Sequence, residues 1–179
     1  MKFKIFSFNQ LKSTNDTAIS IIKKLNVEYG MIIAEIQKNG RGQYGKKWIS
    51  YKGNLFVSFF YKLENLKVSI NQLTKINCLL VKKLLSKYYK KRIFFKKPND
   101  LLINKKKISG ILQETLIKLD KQYLIVGIGI NLIKSPYIKN YPTTDLKKLV
   151  GKKIEKKKMQ NELKKIFEQK ITKLYKLRK

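Results

Sequence analysis

Gly40-Arg41-Gly42-Gln43-Tyr44-Gly45-Lys46-Lys47-Trp48 is the stretch on which the fold turns. Its first six residues spell G-x-G-x-x-G, and they follow Met31 to Gln37, an apolar segment that reads as a strand. A dinucleotide-binding turn with this spelling must open a helix, whose N-terminus holds the pyrophosphate. Here the chain runs on through Ile49-Ser50 and Gly53 into Asn54 to Tyr61, an aromatic-rich strand. No acidic residue closes a second strand at the expected distance, so the doubly wound nucleotide fold is disfavoured. What remains is a glycine-rich loop between two strands. Arg41, Lys46 and Lys47 give it positive charge, and Trp48, the single tryptophan, gives it an apolar cover. Either an anion-binding loop or a plain basic hairpin satisfies that description.

Outward from this loop, short strands dominate. Phe3, Ile5 and Phe6 predict a short first strand. Ser13-Thr14-Asn15-Asp16 can cap a helix, since a side-chain oxygen accepts the unpaired amide protons of a first turn. That helix would place Ala18, Ile21, Ile22 and Leu25 on one face. Ser69-Ile70-Asn71-Gln72 forms a capping box for a long helix to about Tyr89, its apolar face carrying Leu73, Ile76, Leu80, Leu84 and Leu85. Arg92 to Phe95, Leu101 to Ile103, Lys107 to Leu119 and Gln122 to Leu132 read as further strands joined by tight turns. An amphipathic helix from about Glu155 to Leu177 turns Met159, Leu163, Ile166, Phe167, Ile171 and Leu174 inward. Consecutive strands with few helices between them predict an α+β fold with a mixed, largely antiparallel sheet and packed helices.

The 179 residues suit one domain, on a prior of roughly 150 residues each. Histidine is absent, which excludes a Ser-His-Asp triad, a Cys-His pair and any histidine-ligated metal. Cys78 is the single cysteine, so internal disulfides are excluded. The formal charge is +31, yet arginine occurs only at Arg41, Arg92 and Arg178. Surfaces that read phosphates and bases usually draw on arginine's planar fork. Isoleucine occurs 23 times and alanine twice, so the lysine excess reads first as a composition bias along the whole chain and second as a polyanion surface. The first ten residues lack the apolar stretch of a signal peptide, and no apolar run would span a bilayer. A soluble, cytoplasmic protein with no membrane partner is expected.

Two more segments combine chemistry with backbone constraint. Lys96-Lys97-Pro98-Asn99-Asp100 ends a strand in a proline-fixed turn and would aim a lysine at developing phosphoryl charge; an ordinary solvated lysine beside an Asx turn is the plainer alternative. Gly127-Ile128-Gly129-Ile130-Asn131 sets two glycines inside an apolar strand, which marks close approach by a ligand or by another part of the chain.

Together, in order and spacing, these segments resemble the catalytic domain of biotin–protein ligases. The family's S-T-N appears as Ser13-Thr14-Asn15. Its glutamine and G-R-G-x-x-G-[RK]-x-W appear as Gln37 and Gly40 to Trp48. K-x-P-N-D appears as Lys96 to Asp100, K-[LI]-x-G-I-L as Lys107 to Leu112, and G-x-G-I-N as Gly127 to Asn131. A weaker tail pattern, T-[ST]-x-L before G-K-x-I, has counterparts in Thr143 to Leu146 and Gly151 to Ile154. The likeness covers about Ser13 to Ile154.

The resemblance implies the fold shared by class II aminoacyl-tRNA synthetases and biotin–lipoate ligases. It implies a two-step reaction in which biotin's carboxylate attacks the α-phosphorus of ATP, and a carrier lysine then attacks the biotinyl-5′-adenylate. By the same resemblance, Ser13, Thr14, Asn15 and Gln37 would hold biotin's ureido ring, with Gly42, Gln43, Gly110 and Ile111 along the rest of biotin. Arg41 and Lys96 would be the catalytic cations. Lys46, Trp48, Gly127, Gly129 and Asn131 would border the nucleotide, with magnesium entering with ATP near Asn131. The implied partner is the biotin carboxyl carrier domain of a biotin-dependent carboxylase, with the ligase a monomer or homodimer. Residues 1–179 would form one catalytic domain, without an N-terminal DNA-binding domain, an operator, or a small C-terminal β-barrel.

Two departures stand out. Gln43 replaces an arginine that in the family helps retain the adenylate, and Lys97 replaces an aromatic residue. The rival readings are a lipoate or octanoate ligase of the same superfamily and a basic nucleic-acid-binding protein with a degenerate ligase fold.

Overall fold

The computed structural model describes residues 2–63 and 68–176. Seven strands form one sheet: β1 (Lys4–Leu11), β2 (Tyr29–Gln37), β3 (Leu55–Lys62), β4 (Phe94–Lys96), β5 (Asp100–Ile103), β6 (Lys106–Lys118) and β7 (Lys121–Ile130). Their spatial order is β1-β2-β3-β7-β6-β5-β4. β1 pairs parallel with β2, and every other pairing is antiparallel. The α+β architecture expected from the sequence is therefore the one observed.

The helices are α1 (Thr14–Lys24), α2 (Ile70–Tyr88), α3 (Leu146–Val150) and α4 (Lys156–Lys176). The capping box of α2 forms as its spacing predicts: Ser69 Oγ accepts from the Gln72 amide at 3.2 Å, and Gln72 Oε1 accepts from the Ser69 amide at 2.8 Å. Leu177, expected to end the last helix, lies outside the described residues.

Alternation along β7 assigns the two faces of the sheet. Leu124, Val126, Ile128 and Ile130 join the large core under α2 and α4, where Phe59 stacks on Phe167 with ring centroids 4.2 Å apart. Tyr123 and Ile125 point the other way and pack with Ala18 and Ile22 of α1. Beyond Ile125, that second face carries Gly127 and Gly129. Opposite them in register stand Ser58 and Phe56 of β3, and Leu112 and Gly110 of β6. α1 covers only the first part of this face, and the small residues leave the remainder concave.

Several boundaries differ from the sequence reading, each for a local reason. β1 is eight residues long, because its parallel pairing with β2 continues to Leu11 opposite Gln37. Leu25 does not share the buried face of α1; it is the C-cap residue and 45% exposed. Leu119 leaves the strand for a turn with a left-handed backbone, φ +46°, and is exposed. The strand before the Pro98 turn is Phe94–Lys96 rather than Arg92 to Phe95, and β7 ends at Ile130 rather than Leu132. α3 follows from Asp145, whose Oδ1 accepts from the Lys148 amide at 2.9 Å.

Candidate active site

Parallel pairing of β1 with β2 sets the chain ends of both strands side by side. The amides of Lys38 and Asn39 donate to the carbonyls of Leu11 and Lys12, each at 2.9 Å. This brings Ser13-Thr14-Asn15, at the start of α1, against Gln37. Gln37 Oε1 accepts from the Thr14 amide at 2.8 Å and from Thr14 Oγ1 at 3.1 Å, and Gln37 Nε2 donates to Ser50 at 3.2 Å. Ser58, on the concave face of β3, lies 2.7 Å from Thr14 Oγ1 and 2.5 Å from Asn15 Oδ1. Ser13, Thr14, Asn15 and Ser58 are all buried, so these short polar groups form an ordered lining and not a solvated surface.

The Gly40–Trp48 loop folds back on itself. Trp48 N donates to the Gly40 carbonyl at 2.8 Å, and Gly42 N to the Lys46 carbonyl at 2.7 Å. Trp48 is thereby laid over the Gly110–Gly129 pair. A Cβ on Gly110 would come within 2.8 Å of the indole, and one on Gly129 within 2.4 Å of it; at Gly127 a Cβ would collide with Asn15. The glycines of G-x-G-I-N are thus required first by close packing of the chain's own side chains, and the same packing shapes the floor of the site.

Arg41 is not presented freely. Its Nη1 and Nη2 donate to Glu114 Oε1 and Oε2 at 2.9 and 2.8 Å, and Nη2 lies 2.8 Å from Asp16 Oδ1. Partial burial works against the guanidinium charge, but the hydrogen bonds and charges of Glu114 and Asp16 outweigh it and hold the Arg41 pKa above its ordinary value. Glu114 Oε2 also accepts from Asn15 Nδ2 at 2.6 Å.

At the opposite wall the Pro98 turn is tied to β6: Asn99 Nδ2 donates to the Ile111 carbonyl at 2.6 Å, and the Ile111 amide donates to the Asn99 carbonyl at 3.0 Å. The Ile111 groups expected to serve a ligand are therefore already bonded to Asn99. Lys96 Nζ sits 4.4 Å over the Tyr141 ring. Lys107 lies deeper. Its Nζ is 2.8 Å from Asp100 Oδ1, 5.2 Å from the Trp48 ring centroid and 5.5 Å from that of Tyr141. Tyr141 donates to Asp100 Oδ2 at 2.6 Å, and burial together with this carboxylate raises its pKa. The segment after β7 is held in place by Asn54, whose Oδ1 accepts from the amides of Leu132 and Ile133 at 3.0 Å each. Asn131 Nδ2 donates to the Thr144 carbonyl at 3.1 Å.

These walls enclose one cavity of about 680 Å³, within the range usual for small-molecule sites. Every site residue named from the sequence lines it: Ser13, Thr14, Asn15, Gln37, Arg41, Gly42, Gln43, Lys46, Trp48, Lys96, Gly110, Ile111, Gly127, Gly129 and Asn131. Its lining combines neutral hydrogen-bonding groups at Ser13, Thr14, Asn15 and Gln37, cations at Arg41, Lys96 and Lys107, and the indole of Trp48 with Asn131. Two polar atoms there, Trp48 Nε1 and Asn131 Oδ1, are buried with no hydrogen-bond partner, as expected of groups kept for a ligand. Among the described residues no cluster of three carboxylate or cysteine side chains could cage a metal. Asn131 Oδ1 is an oxygen donor that suits an ion arriving with its own phosphates and waters, whereas both oxygens of Asp100 are engaged by Lys107 and Tyr141.

Sequence reasoning passed over Ser58, Asp100, Lys107, Glu114 and Tyr141 as site residues. Lys107 and Asp100 stand inside recognised motifs, and that was the available signal. Ser58, Glu114 and Tyr141 belong to no motif: strand register sets Ser58 and Glu114 behind the lining, against Thr14, Asn15 and Arg41, and the segment after β7 carries Tyr141 to the cavity.

With this geometry in view, the chain belongs to the biotin/lipoate A/B protein ligase family, whose family model matches residues 7–131. Its relatives include biotin protein ligases. It is 33% identical over 124 residues to the bifunctional ligase/repressor BirA of Escherichia coli, covering 68% of this chain and 38% of that protein. It is 30% identical over 127 residues to the biotin–[acetyl-CoA-carboxylase] ligase of Paracoccus denitrificans, covering 69% and 52%. The biotin protein ligase of Aquifex aeolicus, solved with biotin and ATP, superposes with a TM-score of 0.80 at 30% identity, covering 95% of this chain and 71% of that one. The chain thus spans about two-fifths to one-half of the length of these two curated relatives. Among the described residues no helix is long and apolar enough to cross a membrane.

Proposed function

We propose that the chain joins biotin to ATP as biotinyl-5′-adenylate and passes the biotinyl group to a lysine of a biotin carboxyl carrier domain. The observation that carries this reading is one cavity lined together by buried neutral hydrogen-bonding groups, by cations at Arg41, Lys96 and Lys107, and by an indole and an asparagine with unpartnered polar atoms. Ser13, Thr14, Asn15 and Gln37 suit the uncharged ureido ring. Arg41, Lys96 and Lys107 suit the place where the carboxylate and α-phosphoryl group, two anions, must be brought together. Trp48, Gly129 and Asn131 suit the nucleoside, and Lys46 at the rim the outer phosphates.

In the first step a biotin carboxylate oxygen forms a bond to the α-phosphorus as the α–β bridge breaks, and pyrophosphate leaves. In the second a neutral carrier lysine amine attacks the acyl carbon, the bond from that carbon to the bridging oxygen breaks, AMP leaves with that oxygen, and the amine gives up a proton to water as the amide forms. Arg41, Lys96 and Lys107 orient the reacting oxygens and offset the charge that gathers between them. Magnesium bound with ATP would neutralise the triphosphate, with Asn131 the residue that would face it. The named acceptor of the Paracoccus relative supports a carrier domain of acetyl-CoA carboxylase as partner, and the +31 charge supports electrostatic recruitment of that domain.

The test is transfer to a recombinant biotin carrier domain followed by mass spectrometry. Biotin should be found on one carrier lysine, dependent on ATP and magnesium, and lipoate should not replace it. The transfer rate should fall steeply with added salt. Modification by lipoate and not by biotin would overturn the substrate assignment, and a flat salt profile would remove the recruitment reading.

A further inference from the structure

Arg41 reaches the cavity, but Glu114 and Asp16, which hold it, are not among the cavity-lining residues. A guanidinium has five N–H donors. Glu114 takes one from each terminal nitrogen, and Asp16 engages Nη2 again. The paired terminal edge, the one that grips a carboxylate with two parallel bonds, is therefore already occupied. The three side chains together carry a formal net charge of one negative. A substrate anion approaching Arg41 thus meets a closed fork inside a negatively charged cluster, and it can gain a two-point grip only by replacing one of the resident carboxylates. Glu114 has a second partner to keep it in place after exchange, since its Oε2 also accepts from Asn15 at 2.6 Å. Asp16 is about half exposed and returns readily to water.

We propose that Glu114 and Asp16 form a displaceable carboxylate clamp on Arg41, making them positioning residues that set how strongly the cavity holds a carboxylate ligand relative to a neutral one of the same shape. The clamp rests on the biotin reading of the cavity and deepens it. Before binding, it keeps the Gly40–Trp48 loop docked on β6; on binding, the ligand's carboxylate takes over the role of Glu114 on the same guanidinium. The clamp therefore lowers anion affinity in exchange for a loop already in place.

Calorimetric titration of biotin and of uncharged biotin methyl ester into the wild-type chain, Glu114→Gln and Asp16→Asn tests this. Both variants keep a hydrogen-bonding group of the same size, and the amide oxygen introduced by Glu114→Gln can still accept from Asn15. Glu114→Gln should tighten biotin by roughly two- to fivefold, the worth of a partly exposed ion pair, and Asp16→Asn by less, with ester affinity unchanged in each. Equal changes for biotin and ester, or weaker biotin binding in Glu114→Gln, would overturn the clamp while leaving the biotin site intact. Failure of the wild-type chain to bind either ligand would overturn the biotin reading and the clamp with it.

Discussion

The two faces of one sheet do opposite work in this molecule. Toward α2 and α4 the strands present Val57, Phe59, Tyr61, Leu124, Val126, Ile128 and Ile130, and the face is sealed. Toward α1 the same strands present Ser58, Gly127, Gly129 and Gly110, and the face stays concave. Neighbouring residues on one strand therefore belong to different physical problems. On β7, Gly127 and Gly129 shape the cavity, while Leu124, Val126, Ile128 and Ile130 supply the apolar burial that holds its walls still. A site built on small residues cannot stabilise itself, so its precision depends on the packing one layer below.

The largest effect should come from the sealed face. Phe59→Ala removes the ring stacked on Phe167 and should cost about 3–5 kcal/mol in denaturant unfolding. The KM for biotin of the molecules that remain folded should stay unchanged; a raised KM would show that the faces are not separable. Next in size is Gly129→Ala on the open face. Its Cβ must push Trp48 aside, and misplacement of about 1 Å at such a site can lower turnover by about 100-fold. The expected signature is a large loss of rate with a small shift in unfolding midpoint, and the reverse pattern would break the contrast. Gln43→Arg should have a smaller effect, slowing adenylate release from the purified protein by roughly two- to fivefold through one added ion contact. An unchanged release rate would show that Gln43 does not limit retention.

The smallest effect is expected at Cys78, in α2 on the sealed face. Burial pushes its thiol up to about 12, so the thiol is protonated across the neutral range. Iodoacetamide near pH 8 should leave it unlabelled in the folded chain and label it on unfolding. Rapid labelling of the native protein would show that the sealed face opens.

Much of this division was legible in the sequence, for identifiable reasons. The alternation of β7 and the cap residues of α1 and α2 are local signals, read directly from residue type and spacing. The site motifs were legible because glycines inside an apolar strand demand an explanation. Leu25 and Leu119 misled because an apolar residue at an element's end satisfies the pattern while tertiary structure leaves it in water. Glu114 was hidden for a different reason. It is an ordinary polar residue on a long strand, and only the β6–β7 register and the return of the Gly40–Trp48 loop bring it to Arg41. Lys107 stood in plain sight within K-I-S-G-I-L, but its depth beside Trp48 and Asp100 depends on how the segment after β7 folds over it.

Biotin-dependent exchange of labelled pyrophosphate into ATP tests the central claim most directly, because it reports adenylate formation in the open face without any carrier. The account predicts exchange that requires biotin and magnesium and is abolished or strongly reduced in Lys96→Ala and Lys107→Ala. Absence of exchange in folded protein with ample ATP, or exchange indifferent to both lysines, would contradict it.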